Sequence, residues 1–373
     1  MKKNIKEIVN KDIETLLYFE NIDLYPDGKG GQLGDRGYIE DEKFKTIKKE
    51  KIYLSIKNSS NFHLNQEVEI KIDLNWKKDI SIQHTAQHIL SAVIFDEFSG
   101  NTVGFQMGEK YSTIDIDIPS ISEKMIDFMI SKTNKVIRSN LYIKENYVEK
   151  NELEKYHLRK PVNQKVLNKD EKIRIISIGD FDHSACGGYH VKQTGDIGCL
   201  SIVKTEKVKG NLTRLFFLAG QRAVEYFSKI NSLKKNLKKL LTCDENNIFD
   251  RVNSLLDENK LQRNKYKKIL SEMIIKDLEG IKDEVIFIEN ENEYLNTFSS
   301  LIQRDKYLFI GKNNDTFYLS SKGYNCKKLV DLLKKEFDIK GGAGPIKGQV
   351  KSSNLDQESL KKFISYNLEE VSG

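Results

Sequence analysis

Two short motifs, far apart in the chain, place the strongest constraint on how it can fold. HTAQH occupies residues 84–88 and CGGYH occupies residues 186–190. On a helix, the i, i+4 spacing of the first motif puts both histidines on one face, one turn apart, as a shared metal ion requires. A turn that contains two glycines can direct the cysteine and the histidine of the second motif toward one point. A fold that uses both motifs must bring together four candidate ligands, His84, His88, Cys186 and His190.

Neither motif alone is strong evidence, because each pair is also compatible with packed or solvated histidines. With six histidines and four cysteines in the chain, chance yields roughly 0.1 motifs of the first kind and roughly 0.06 of the second, hence roughly 0.006 for both. Three imidazoles and one thiolate suit Zn²⁺, a borderline-soft ion without redox chemistry, so we expect one Zn²⁺ per chain. His183, close to the second motif, is a weaker candidate ligand. HTAQH is not His-Glu-x-x-His, so a protease of that type would lack its general base.

Residues 1–76 have the pattern of a small β-barrel. Short β segments are separated by turns, of which the longest is YPDGKGGQLGDRG at residues 25–37, here called the glycine loop. Alternating apolar and polar residues after it are typical of a half-buried strand, and many short strands of this kind close most naturally into a barrel. The apolar positions of the last strand are Val68, Ile70, Ile72 and Leu74.

Residues 77–219 have the pattern of an α+β domain. The segment from 80 to 98 predicts a helix that buries Ile89, Ala92, Val93 and Phe95 and is ended by Gly100. Two strands follow, and SEKMIDFMISKTNKVIRSN predicts a second helix capped by its serine. Three further strands, KIRIISIG, GCLSIVKTEKV and TRLFFLAG, complete the alternation of sheet and helix.

The remainder of the chain divides into two parts. Residues 220–280 predict two long helices paired as a hairpin around TCDENN, because apolar residues recur at helical spacing and no proline interrupts them. Residues 281–373 alternate between strands and a helix and contain the glycine cluster KGGAGPIKGQV, which predicts a compact α/β domain. The whole chain is therefore expected to be an α+β protein built of four parts.

Composition excludes several classes of protein. No run of 18 or more apolar residues exists, and the N-terminal segment lacks the apolar core and cleavage site of a signal peptide. We therefore expect a cytoplasmic protein without membrane association, whose cysteines are thiols or metal ligands. The net charge of +6 is mild, but lysines concentrate in KKNLKK at residues 234–239. There they form a basic stripe that is able to follow phosphates.

Four motifs resemble, in order and wording, the editing domain of alanyl-tRNA synthetases and their free-standing relatives, the AlaX trans-editing proteins. They are YPDGKGGQLGDRG, HTAQHIL, TVGFQMGEKYSTIDID and ACGGYHVKQTGDIG. TRLFFLAGQRAVEYF and GGAGPIKGQV are similar to the C-terminal DHHA1-type domain of the same synthetases, so the resemblance covers nearly the whole chain. No aminoacylation domain precedes the glycine loop, and the long free-standing AlaX type is therefore the expected one.

The resemblance implies a hydrolase that cleaves the ester between a wrong amino acid, mainly serine and sometimes glycine, and alanine tRNA. The four candidate ligands match the zinc-binding positions of the family. Gln106 matches a polar pocket position, and Gln32 and Asp35 match the glycine loop, so these three are the expected catalytic residues. The sequence departs from the family pattern at an extra Lys29 in the loop, at Tyr189 where threonine is common, and in the C-terminal cluster, which has fewer consecutive glycines.

The chemistry of such a site leaves alternatives open. Zinc could lower the pKa of a bound water or polarise the ester carbonyl, but four protein ligands describe a closed site, in which zinc only shapes the pocket unless one ligand is displaced. Serine can be selected over alanine because a buried group that binds the hydroxyl is left unpaired by alanine; Gln106 and Gln87 are the candidates. Gly30, Gly31 and Gly34 could let the backbone approach the terminal adenosine, or simply form a tight turn.

The predicted partner is mischarged tRNA(Ala). Contacts with its backbone are expected from Lys234 and Lys238 on the basic stripe and from Lys347 beside the C-terminal glycines, although a charge run is more often a solvated helix face. A homodimer through the helical pair or the last domain also fits the pattern. Two other functions remain open: a deacylase for a different aminoacyl ester, and a zinc-stabilised tRNA-binding module without turnover.

Overall fold

A computed structural model describes residues 1–57, 61–169 and 172–372 of the chain. Contacts divide it into two compact units, Met1–Lys235 and Asn236–Gly373. Both units combine helices with mainly antiparallel sheets, which confirms the predicted α+β class. The finer division into four parts stays a prediction. Within the described part of the chain, no helix is both long enough and apolar enough to cross a membrane.

The first unit begins with a curled, seven-stranded antiparallel sheet. Its strands are β1 (Lys2–Asn4), β2 (Glu7–Asn10), β3 (Glu14–Tyr18), β4 (Arg36–Ile39), β5 (Glu42–Lys48), β6 (Ile52–Lys57) and β7 (Glu67–Ile72). The order is β1-β7-β4-β5-β6-β3-β2, so the two end strands are neighbours in the chain. Between them, the Ile5 N–H donates to the Gln66 carbonyl and the Lys6 N–H to the Tyr18 carbonyl. One segment of chain, from β1 to β2, thus pairs with β7 through its first half and with β3 through its second half, in the region where a small barrel was predicted.

Apolar side chains on the inner face of this sheet form its core. Val68 and Ile70 face inward as predicted, but the strand that carries them ends at Ile72. Leu74, predicted as the next inward position, is 73% exposed. The prediction fails there because Leu74 is the first residue of helix α1 (Leu74–Phe98) and no longer follows the strand period.

Helix α1 begins earlier than residue 80, where the apolar pattern starts. Its N-cap is Asp73, whose carboxylate accepts the Trp76 N–H at 2.9 Å and so satisfies one of the free donors of the first turn. Phe95 was predicted to be buried but is 40% exposed. Ile94 and Phe98 cover the core at this end of the helix instead.

Two further sheets complete the first unit. Their strands are β8 (Thr102–Met107), β9 (Ser112–Ile116), β10 (Ile143–Glu149), β11 (Lys172–Ile178), β12 (Asp182–Ala185), β13 (Leu200–Val208) and β14 (Leu212–Ala219). The antiparallel order β13-β14-β9-β8 makes one sheet and β10-β11-β12 the other. Helix α1 and helix α2 (Glu123–Arg138), which is capped by Ser122 as predicted, share one apolar core with the first of these sheets. A short helix α3 (Gln164–Lys169) precedes β11.

The second unit is built on one five-stranded sheet. Its elements, with helix α4 running across the boundary between the units, are α4 (Gln221–Leu241), α5 (Ile248–Gly280), β15 (Val285–Glu289), α6 (Asn292–Leu301), β16 (Tyr307–Asn313), β17 (Thr316–Lys322), α7 (Cys326–Glu336), β18 (Lys340–Ala343), β19 (Lys347–Lys351) and α8 (Gln357–Asn367). The order is β15-β16-β17-β19-β18, and β15 and β16 are parallel. The predicted glycine cluster forms the hairpin β18–β19 at one edge.

Both long helices predicted between residues 220 and 280 are present as α4 and α5. In α5, Leu270 and Ile274 pack against the apolar residues of α6. Other leucines of the two helices are exposed: Leu233 by 55%, Leu240 by 78% and Leu256 by 63%. The pairing of α4 and α5 as a hairpin stays a prediction.

Candidate metal centre

Helix α1 presents the first two candidate ligands from its buried face. His84 and His88 are 3% and 5% exposed, and their ring centroids are 5.2 Å apart. Ala86 and Ile89, which alternate with them along the helix, are completely buried in the apolar core. The helix is therefore fixed by packing on one side, and the two imidazoles are held at a fixed spacing.

The other two ligands lie on residues 186–190, here called the ligand turn, which follow directly from strand β12. Arg174 of β11 holds this turn by donating to the carbonyls of Cys186 (2.7 Å) and Gly188 (2.9 Å). A Cβ at Gly188 would lie 2.2 Å from Cε1 of His84, so glycine is needed there for close approach. Both glycines of the motif were predicted to form a tight turn, but an added Cβ at Gly187 would meet nothing within 4 Å.

The four donor atoms converge as predicted. One ligand atom from each of the four residues lies within 4.8 Å of all the others. The Cys186 Sγ atom is 3.4 Å from Nε2 of His84 and 3.4 Å from Nε2 of His190. Bonds of about 2.0–2.3 Å to a tetrahedral ion place neighbouring donors about 3.3–3.8 Å apart. The donor types and the two distances from the Cys186 sulfur therefore fit a tetrahedral metal ion.

The pKa shifts of Cys186 and His190 favour metal binding, whereas that of His88 opposes it. Burial alone would raise the pKa of the Cys186 thiol, but the adjoining His84 and the hydrogen bonds from the histidine rings hold that pKa well below its ordinary value. Burial lowers the pKa of His190 to about 3, so that ring is neutral. Burial opposes protonation of His88 as well, yet Asp182 and the Cys186 sulfur raise its pKa to about 9. To bind a metal ion, His88 would therefore have to lose a proton that Asp182 and the Cys186 sulfur stabilise.

Each imidazole also faces a polar partner on its outer side. Nδ1 of His84 lies 2.7 Å from Gln32 Oε1. Nδ1 of His190 lies 3.2 Å from Thr85 Oγ1, and Nδ1 of His88 lies 3.5 Å from Asp182 Oδ2. The Thr85 hydroxyl donates to the Ser81 carbonyl at 2.8 Å and must therefore accept from His190, which leaves Nε2 of that ring free of hydrogen. Such partners fix ring orientation and tautomer in metal sites.

Asp182 is itself held in place. Burial would raise its pKa, but His88 and Arg159 lower it to about 2. Arg159 Nε donates to Oδ1 at 2.8 Å, and the Ser184 hydroxyl donates to Oδ2 at 3.0 Å. The carboxylate therefore stays ionised beside His88, with which it forms a buried ion pair.

The glycine loop packs against the ligand turn through two side chains. Asp35 is 1% exposed, and its Oδ2 accepts the Tyr25 N–H and the Tyr189 hydroxyl, both at 2.8 Å. Gln32, also 1% exposed, accepts the Tyr189 N–H at 2.8 Å. Tyr189, the departure from the family pattern, thus connects the two segments by both its backbone and its side chain.

The predicted role of the loop glycines is only partly compatible with their surroundings. A Cβ at Gly31 would lie 2.3 Å from the Phe105 carbonyl oxygen, and one at Gly34 would lie 2.4 Å from the Tyr25 carbonyl oxygen. These two glycines therefore permit close approach within the protein itself. Gly30 is exposed and adopts a left-handed φ of 60°, so its backbone is the one that stays accessible to a ligand.

The two glutamines proposed for the pocket lie in different environments. Gln106 is exposed on strand β8, where the adjacent Phe105 points to the other face, with its ring centroid 5.3 Å from that of His84. Gln87 is 7% exposed on the same face of α1 as the histidines, and its amide donates to the Ser91 hydroxyl at 2.8 Å.

The remaining predicted residues do not belong to the donor cluster. Lys234 and Lys238 lie on α4, and Lys347 lies on β19. The His183 ring bonds to the Ser177 hydroxyl at 2.9 Å instead of joining the other donors. Sequence reasoning missed four residues that contact the centre: Thr85, Phe105, Arg174 and Asp182. Only Phe105 had a usable signal, because strand alternation places it opposite Gln106.

Comparisons with known proteins agree with this geometry. The family described as "Threonyl and Alanyl tRNA synthetase second additional domain" matches residues 173–216, which include the ligand turn, strand β13 and the first part of β14. This part of the chain therefore resembles the additional domain of these synthetases. Over most of its length the chain is similar to alanyl-tRNA editing proteins of the AlaX type, which confirms the resemblance seen in the motifs.

Three relatives illustrate this similarity. Alanyl-tRNA editing protein AlaX-L of Pyrococcus horikoshii is 29% identical, over 86% of this chain and 83% of its own length. Alanyl-tRNA editing protein Aarsd1-A of Xenopus laevis is 26% identical, over 92% of this chain and 87% of its own. The alanine–tRNA ligase of Rickettsia felis is 25% identical over 91% of this chain, which spans only 42% of that enzyme.

Proposed function

We propose that this chain is a zinc-dependent editing hydrolase that removes a wrong amino acid from alanine tRNA by hydrolysing the aminoacyl ester. The convergence of four donors within 4.8 Å beside the glycine loop is the observation that carries the proposal. The similarity to proteins named for alanyl-tRNA editing supplies the substrate class. Seryl-tRNA(Ala) is the first substrate and glycyl-tRNA(Ala) the second, because serine offers a hydroxyl that alanine lacks.

The metal is proposed to be one Zn²⁺ per chain, held by His84, His88, Cys186 and His190. Three imidazole nitrogens and a thiolate suit this ion, whereas Mg²⁺ and Ca²⁺ prefer oxygen donors. When bound, zinc would lower the pKa of a water or polarise the ester carbonyl, or with all four ligands retained would fix the shape of the pocket.

The side chains around the centre would position the substrate while a water molecule adds across the acyl C–O bond. The water oxygen joins the carbonyl carbon, and the terminal adenosine leaves with its hydroxyl restored. Gly30 offers the accessible backbone of the glycine loop to that adenosine, and the Phe105 ring covers one side of His84. Asp35 is buried, and it accepts hydrogen bonds from Tyr25 and Tyr189. We therefore propose that it holds the glycine loop in place without touching the substrate.

Gln87 is the better candidate for selecting serine. One end of its amide is bound to Ser91, whose hydroxyl also accepts from Thr102 at 2.7 Å. The other end, the Oε1 atom, forms no hydrogen bond with any described residue, and it is not fully buried. A hydroxyl both donates and accepts, so it can satisfy the free end of the amide in either orientation, whereas the methyl group of alanine can satisfy neither.

The proposal also includes the predicted tRNA contacts, the four-part division of the chain and the homodimer. The basic stripe with Lys234 and Lys238, together with Lys347, would contact the tRNA backbone. The four-part division at residues 76, 219 and 280 would separate the glycine loop, the metal centre, the two helices and a DHHA1-like domain. A homodimer would use the helices or the last domain.

Deacylation of purified seryl-tRNA(Ala) and alanyl-tRNA(Ala) tests the proposal. We expect release of serine but little release of alanine, loss of activity after treatment with a chelator, and recovery with Zn²⁺. Hydrolysis that a chelator leaves unchanged in demonstrably metal-free protein would contradict the metal dependence. Binding of tRNA without release of any amino acid would identify a binding module instead, and release of a different amino acid would identify another deacylase.

A matched pair of variants tests the specificity residue. Gln87→Leu should slow seryl-tRNA(Ala) hydrolysis about tenfold, the effect of one lost hydrogen bond, with zinc content unchanged. Gln106→Leu on the exposed face of β8 should stay within about twofold of wild type. A larger loss of hydrolysis in Gln106→Leu than in Gln87→Leu would mean that Gln106 is the residue that selects serine.

A further inference from the structure

One amide oxygen joins the glycine loop to both segments of the metal centre. Gln32 Oε1 lies 2.7 Å from Nδ1 of His84 and 2.8 Å from the backbone nitrogen of Tyr189. The other end of the amide donates to the neighbouring Leu33 carbonyl at 3.3 Å. Three segments that are distant in sequence therefore meet at a single, 1% exposed side chain.

The chemistry of these contacts fixes the tautomer of His84. A backbone N–H can only donate, so the Gln32 atom that faces Tyr189 must be the oxygen. An oxygen that is already an acceptor requires a hydrogen on Nδ1 of His84. With its hydrogen placed on Nδ1, the ring presents Nε2 as the nitrogen for a metal ion, and this nitrogen is the one that lies 3.4 Å from the Cys186 sulfur.

Backbone geometry on both sides supports this placement. The Gly28 N–H donates to the Gln32 carbonyl at 2.8 Å and the Gln32 N–H to the Lys29 carbonyl at 3.2 Å, so the turn of the loop closes around Gln32. On the opposite side, a Cβ at Gly188 would lie 2.6 Å from Gln32 Oε1. The ligand turn can approach the amide oxygen only because glycine is present there.

We propose that Gln32 is a positioning residue that couples the order of the glycine loop to metal binding. A loop in its native conformation presents the amide oxygen that orients His84, and a metal ion on His84 in turn favours the loop conformation that supplies this oxygen. Such coupling is reciprocal by thermodynamic necessity. The inference rests on the metal centre of the proposed function and replaces the catalytic role predicted for Gln32.

Zinc affinity of the full-length protein, measured without tRNA by competition with a chromogenic chelator, tests the coupling. Gln32→Leu removes the acceptor at nearly constant volume and should weaken zinc binding about 10- to 100-fold, as loss of such a partner does in other zinc sites. Gln32→Glu keeps an acceptor for both N–H groups and should restore affinity to within a few-fold of wild type. The absorption bands of bound Co²⁺ should shift in the leucine variant and return in the glutamate variant.

Gln66→Leu is the matched control. This glutamine lies directly before strand β7, outside the metal centre, and also accepts a backbone N–H, that of His63 at 2.9 Å. The zinc affinity of the Gln66→Leu protein should equal that of the wild type. A Gln32→Leu protein whose zinc affinity lies within about twofold of the Gln66→Leu protein would overturn the proposal.

Hydrogen exchange of the wild-type protein provides a test that needs no variant. Amides of the glycine loop should exchange more slowly with zinc bound than without it, and Gln32→Leu should abolish this difference. Loop exchange that does not respond to zinc in the wild type would refute the coupling. Neither measurement uses deacylation, so a wild-type protein that couples zinc to the loop but hydrolyses no aminoacyl-tRNA would refute the proposed function and leave this inference standing.

Discussion

Two glycine-bearing segments of this chain look alike in sequence but are constrained differently. In the ligand turn, Gly188 is buried, and an added Cβ would lie 2.2 Å from the His84 ring. In the C-terminal hairpin, Gly342 is exposed on the edge strand β18, and an added Cβ would meet nothing within 4 Å. Neither residue has a positive φ. The difference between these two glycines therefore lies in packing, and it teaches that a glycine within a cluster marks a close approach only where other atoms of the protein lie at the position that its Cβ would take.

The largest effect is expected from removing a ligand next to Gly188. Cys186→Ser should reduce zinc affinity by more than the roughly 100-fold upper range for losing a ligand's partner, and deacylation should fall with it. Metal content after dialysis against a chelator is the measurement. Cys199→Ser, at a half-buried cysteine in the same unit, is the control and should keep its zinc. A Cys186→Ser protein that retains one tightly bound zinc would show that the ligand turn does not hold the metal.

Gly188→Ala tests the close approach directly. Its Cβ would displace the His84 ring or the Gln32 amide, and we expect the free energy of unfolding to fall by roughly 1–3 kcal/mol, the usual cost of overpacking, together with weaker zinc binding. Denaturant titration of the metal-free and the zinc-bound protein separates the two effects. Unchanged stability and affinity would remove the distinction between the two segments.

Tyr189→Phe should have a smaller effect. The variant keeps the ring and the backbone N–H but loses the hydroxyl that donates to Asp35, which should cost about 1–2 kcal/mol because the acceptor is a buried carboxylate. Zinc content should stay at the wild-type level, since none of the four donors is touched. A loss of zinc without a loss of stability would contradict this division of roles.

Gly342→Ala is expected to have the smallest effect. The exposed edge strand has room for a methyl group, and alanine reduces the freedom of the unfolded chain, so the free energy of unfolding should stay the same or rise by up to about 1 kcal/mol. Zinc affinity should not change. A destabilisation as large as that of Gly188→Ala would mean that Gly342 is packed as closely as Gly188.

The sequence predicted the parts of the site that depend on spacing within one segment. The i, i+4 pair His84 and His88 needs only the helical period, and Cys186 and His190 need only a glycine-bearing turn. Their convergence could be inferred because one ion must bind all four. The strand period of β8 and the helix period of α1 also predict that Gln106 is exposed and Gln87 buried, as the structure shows.

Other features depend on contacts that no local pattern reveals. Asp182 beside His88 and Arg174 beside the ligand turn arise from the pairing of β11 with β12, and a single sequence does not show such pairing. Helix α1 begins at Leu74 because Asp73 caps it, a local signal that the continuing strand pattern concealed. Phe95 is exposed because neighbouring residues already fill the core at that end of the helix.

The segment from β1 to β2 pairs with β7 through its first half and with β3 through its second half, so neither β7 nor β3 is left as an open edge of the N-terminal sheet. Open edges are where strands of other molecules add and where aggregates begin. The C-terminal sheet, in contrast, ends in β15 on one side and β18 on the other. Concentrated protein should therefore self-associate by strand addition at the C-terminal sheet before the N-terminal sheet takes part.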